Sequence, residues 1–189
     1  MVCTLILLAA LTQTPEVATP ARDPGWKYLH KHLLVGAAGE LGARPWAGPL
    51  SPSATGPIDS APGLLLGLDF EPVDSPSWIQ RHSTTAVILD ASRWRNGDFT
   101  AGLGLGARML VLDGAFSPFI GYEVGARYLS LAGASPARTF GLDLVPDVGA
   151  QLRVGTSILR LEVGPHFFAS FRREPDQWWR ARVSISVPF

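Results

Sequence analysis

From His32 to Phe189 the chain alternates apolar and polar residues with period two, and this constrains its fold more than any other feature. Successive side chains of a strand point to opposite faces, so a period of two sorts them into one apolar face and one polar face. The last segment shows it best. Trp179, Ala181, Val183, Ile185, Val187 and Phe189 alternate with Arg180, Arg182, Ser184 and Ser186. Before it, Leu159, Leu161, Val163, Phe167, Ala169 and Phe171 alternate with Arg160, Glu162, His166 and Ser170. The same pattern recurs around Phe140–Val154, Ile120–Tyr128, Phe99–Met109, Leu64–Phe70 and Leu33–Leu41, and most weakly over Thr84–Trp94. These are eight candidate strands, each read directly from the alternation.

Turn chemistry separates them. Arg95-Asn96-Gly97-Asp98 reads as a tight hairpin, because Asn-Gly tolerates positive φ. Asp113-Gly114, Gly133 to Pro136, Gly155 to Ser157 and Glu174-Pro175-Asp176 serve other corners. Residues 45–62, rich in Pro, Ser and Gly, read as a long exposed loop. Residues 72–83 form a second long connection, which carries Trp78 and His82. A local repeat, GELGAR at 39–44, GLGLGAR at 102–108 and GYEVGAR at 121–127, reads as repeated hairpin chemistry.

An even number of strands suits a closed antiparallel up-and-down barrel. Most of the candidates reach the roughly 9–11 residues that a tilted membrane-crossing strand needs. Alternation does not say which face points inward, since a soluble barrel alternates as well. Three features favour apolar side chains outside. An eight-stranded barrel is just wide enough for side chains, and the polar face mixes glycine with long charged residues, as a narrow interior requires. That face is also near neutral. Its acids are Glu40, Asp69, Glu71, Asp90, Glu123, Asp143, Asp147 and Glu162; its bases are Arg44, Arg108, Arg127, Arg153, Arg160, Arg180 and Arg182. Buried ions need partners, so these residues are expected to form an ion-pair network that fills the lumen. Finally, aromatic residues fall near both strand ends, as in interfacial girdles. Trp94, Phe99, Tyr128, Phe140, Phe171 and Trp179 are expected near one rim, and Phe70, Phe119 and Phe189 near the other.

Fourteen of the sixteen basic residues are arginine, whose planar fork suits multidentate pairing with carboxylates. Lys+Arg 16 balances Asp+Glu 16, which gives no support to a nucleic-acid partner. Residues 1–21 are expected to be a signal peptide: Val2–Leu11 is a short apolar run, too short to span a bilayer, and small and polar residues follow it. Residues 22–31 would then be a periplasmic segment and 32–189 the barrel. The single cysteine, Cys3, falls in the part expected to be removed, which leaves no thiol for zinc or redox chemistry.

The terminal segment WWRARVSISVPF resembles the last strand of bacterial outer-membrane barrels. Those strands end in Phe after alternating apolar residues, and Val183, Ile185, Val187 and Phe189 match; Pro188 departs from the pattern. Residues 32–189 resemble small OmpA/OmpX-type barrels in strand number and layout. The resemblance implies an outer-membrane location, contact with lipid and lipopolysaccharide, and recognition of the last strand by the barrel-assembly machinery.

Chemistry is sparser. Glu162, His166 and Ser170 share one face of one strand and invite comparison with an acid, a base and a nucleophile. Neighbours four apart on a strand are about 13 Å from each other, beyond hydrogen-bond reach. The expected role of His166 is a lumen hydrogen bond. His30, His32 and His82 read as interface or turn residues. Gly102, Gly104 and Gly106 lie within a strand, so they do not form a phosphate loop and more simply make room for lumen side chains. No cofactor or metal is expected. The leading reading is a structural or surface-interaction barrel that touches protein partners through exposed loops. A lipid-modifying enzyme and a narrow pore are the alternatives.

Overall fold

A computed structural model of the chain describes residues 29–43, 58–72, 77–132, 137–170 and 176–189. The strands are β1 (Leu29–Ala43), β2 (Ile58–Pro72), β3 (Ser83–Arg93), β4 (Phe99–Leu110), β5 (Phe116–Leu131), β6 (Ala137–Val154), β7 (Ser157–Ser170) and β8 (Asp176–Pro188). One short helix, α1 (Trp78–Arg81), precedes β3. Each strand pairs antiparallel with its neighbours in chain order, and β8 returns to β1 to close an up-and-down barrel. Closure removes the free strand edges that an open sheet would expose.

Alternation decides what lies on each side of the wall. Leu64, Leu105, Ile120, Phe140, Leu142, Leu161 and Ile185 stand exposed on the outside. Arg127 and Arg160 are wholly buried within. The interior is not uniformly charged, however. Leu34, Ala38, Leu65, Ala86 and Ile88 form an apolar wall inside β1–β3. Ala61, Trp94, Leu129, Phe168 and Trp178 form a second apolar cluster at the end that holds the β3–β4 connection. Two expected girdle residues are therefore corrected. Trp94 and Phe119 face the lumen, at 1% and 2% exposure. Phe119 lies over Gly149, where a Cβ would meet its ring at 2.5 Å. Phe171 lies outside the described residues.

Some boundaries differ from expectation too. β1 starts at Leu29, inside the segment assigned above to 22–31, and β2 starts at Ile58, inside the expected 45–62 loop. The Asn-Gly corner is a longer connection, Trp94–Asp98, with Gly97 at φ 91°. Asp98 Oδ1 there accepts from the Ala132 amide at 2.7 Å, joining this connection to the end of β5. Gly155, at φ 60°, makes the tight β6–β7 turn. At the same end, buried His82 stacks on Trp78, and its Nε2 lies 2.9 Å from Asp113 Oδ1, which ties α1 to the β4–β5 connection.

One seam is interrupted. β6 and β7 pair from Gly141↔Ser170 to Leu144↔Phe167 and again from Val148↔Val163, with no pairs at 145–147. The register is unchanged across the gap, which sets Pro146 opposite Pro165. An antiparallel rung consists of two exchanged N–H···O=C bonds, and neither proline has an N–H to give. Among the described residues the other seven pairings run without an internal break.

Candidate functional site: the lumen

The inward charges of the eight strands meet in a line of alternating acids and bases. Arg127 on β5 donates through Nε to Asp143 Oδ2 at 2.8 Å and through Nη2 to Asp90 Oδ2 at 2.9 Å. Its Nη1 lies 3.9 Å from Glu40 Oε1. Arg180 on β8 then links Asp90, at 3.2 Å, to Glu123, at 3.0 Å. Arg182 joins Glu123 to Glu162, the second contact being 2.9 Å. Arg108 donates to the other oxygen of Glu162 at 3.0 Å and approaches Asp69 at 3.9 Å. Arg160 pairs with Asp69 and also donates to Ser186 Oγ at 2.9 Å and to Gln151 Oε1 at 3.1 Å. Glu71 lies 3.7 Å from Arg160 and 3.0 Å from Arg153, whose side chain reaches the mouth and is 38% exposed.

Glycine makes this line possible. A Cβ on Gly102 would stand 2.8 Å from Arg127 Nη2, and one on Gly104 would stand 2.5 Å from Glu123 Oε1. Long side chains of β5 therefore lie flat across the bare backbone of β4. Gly125 does the same for Asp143 and Gly121 for Asp147.

The expected residues are not all equivalent. Asp147 is buried, yet it enters none of these pairs, and its Oδ1 has no hydrogen-bond partner among the described residues. Arg44 lies outside the described residues. Asp98 and Asp176 are buried acids that the alternation reading left out.

The Glu162–His166–Ser170 row does not assemble into a catalytic set. Both oxygens of Glu162 accept from Arg108 and Arg182. His166 turns the other way: its ring stacks on Trp178 at 4.2 Å, and Nε2 lies 3.2 Å from Asp143 Oδ2. His32 is buried at the opposite mouth, 3.9 Å from Glu71. Among the described residues no group of three or more His, Cys, Asp or Glu is arranged to hold a metal ion.

On the outside, Val183, Ile185, Val187 and Phe189 form one exposed apolar row on β8. Paired with β1 through Leu33↔Val187, Val35↔Ile185 and Ala37↔Val183, that row belongs to the closing seam.

No protein-family model matches the chain. No curated protein matches it either. Among solved structures it is similar to the crystal structure of Neisserial surface protein A, with a TM-score of 0.60 and 11% identity over 84% of this chain and 97% of that one. At that identity the likeness speaks for architecture alone: the chain has the fold of a small outer-membrane barrel, eight antiparallel strands closed on themselves.

Proposed function

We propose that the chain is an integral outer-membrane barrel with a structural or surface-interaction role, its lumen closed by the arginine–carboxylate line. The observation that carries this reading is the sidedness of the wall, with exposed leucine, valine, isoleucine and phenylalanine outside and buried arginines paired with carboxylates inside. A hydrocarbon surround makes that sidedness favourable, because apolar side chains meet lipid and every ion meets a counter-ion. In water the same outer face would be a far larger apolar patch than soluble monomers expose. The 45–62 segment would meet partners, lipid and lipopolysaccharide would surround the wall, and the β8 row ending in Phe189 would be read by the assembly machinery.

A closed lumen should not conduct. Refolded protein in planar bilayers is expected to show no steady single-channel current, and a stable open level would overturn the plugged reading. Folded protein that stays monomeric in buffer without detergent would overturn the membrane reading itself. Among the described residues no arrangement of side chains favours the enzyme alternative.

A further inference from the structure

We propose that the β6–β7 seam is a binding site for one acyl chain of a membrane lipid, a chain that carries a hydroxyl or amide donor. The site builds on the membrane reading above. Its centre is the rung lost between Pro146 and Pro165. The carbonyls of these two prolines lose the donors that the rung would supply. Water does not replace such donors inside hydrocarbon, so an unmet carbonyl there is unfavourable. Both unmet groups are acceptors, so the complementary ligand is a donor.

The surroundings specify the rest of the ligand. A groove of about 350 Å³ begins at the last pair before the gap, Leu144 and Phe167, and continues along Leu142 and Ala169 toward Gln177. Its outward walls are aliphatic and aromatic and accept a hydrocarbon chain. Tyr122 faces Pro146 across the β5–β6 seam and Trp179 faces Pro165 across the β7–β8 seam. These two residues frame the broken rung with aromatic rings that have polar tips. An ordinary ester-linked chain has no donor along its length, whereas a hydroxyl or an amide N–H part-way down the chain answers the carbonyls.

The test uses the full chain folded in micelles and titrated with matched phosphatidylcholines whose acyl chains carry or lack a single hydroxyl. The methyl NMR signals of Leu142 and Leu144 report occupancy. The hydroxylated chain is expected to bind about fivefold more tightly, the equivalent of one net hydrogen bond. The double variant Pro146→Ala/Pro165→Ala restores both N–H donors, so the preference should vanish while the barrel stays folded; Pro165→Ala alone should reduce it. Equal affinity for the two lipids, or a preference that survives the double variant, overturns the proposal. So do shifts confined to methyls away from the seam. The detergent-free solubility test is a separate measurement and fails the membrane reading alone.

Discussion

The two ends of the lumen are built from inward positions of the same strands and held by different physics. At the β3–β4 end, Trp94 meets Trp178 edge to face at 6.5 Å, and Phe168 lies 6.3 Å from Trp178. Toward the other end the same strands turn in Arg108, Arg160, Glu162 and Arg182. In the aromatic cluster each side chain fills space, so a deletion costs what its own volume is worth. In the ionic line each buried arginine meets two or more carboxylates, so a deletion leaves buried charges short of partners. Position within the barrel wall does not set the sensitivity of a residue; the number of partners that depend on it does.

Arg127→Ala should give the largest effect. It takes from Asp143 its arginine and leaves Asp90 with Arg180 alone, and breaking a buried pair costs about 3–5 kcal/mol. Urea unfolding in micelles, followed by band shift on unheated gels, would measure it. A loss below that of Phe168→Ala would erase the distinction between the aromatic cluster and the ionic line. Phe168→Ala itself should cost about 3 kcal/mol, since it opens a cavity beside Trp178. Gly104→Ala places a methyl against Glu123, at 2.5 Å from Oε1. It should cost about 1–2 kcal/mol by overpacking, and a double cycle with Glu123→Ala should recover most of that loss. Arg153→Ala sharpens the comparison from the weak side. Its guanidinium is 38% exposed at the mouth, and exposed pairs are worth about 1 kcal/mol or less. An unfolding midpoint shifted as far as that of Arg127→Ala would show that burial does not govern the line.

Much of this was legible in the residues. Alternation marks the strands, and the Arg–Gly mixture marks the narrow side of the wall. What alternation hides is the apolar part of the lumen. The clue lies in doublets that break the pattern: Leu33-Leu34, Leu64-Leu65-Leu66, Ile88-Leu89, Phe167-Phe168 and Trp178-Trp179. In each run one residue is buried, namely Leu34, Leu65, Ile88, Phe168 or Trp178, and its neighbours in the run face out. A period-two reading counts the outward member and passes over its neighbour. Trp94 was missed for a related reason, since a residue just past a strand end is free to turn either way. Pro146 and Pro165 show the limit most clearly. Each is ordinary on its own, and only register places them on one rung.

The sequence by itself determined the strand order, the closed sheet and the apolar outer face. Each of these follows from short-range alternation and from the turns between strands. Pairing across the lumen was decided by the tertiary structure alone. Which carboxylate meets which guanidinium depends on the stagger of strands far apart in the chain, as when Asp69 of β2 meets Arg160 of β7. Pair partners are a property of the closed cylinder, because only closure brings distant strands to face one another across a width of two side chains.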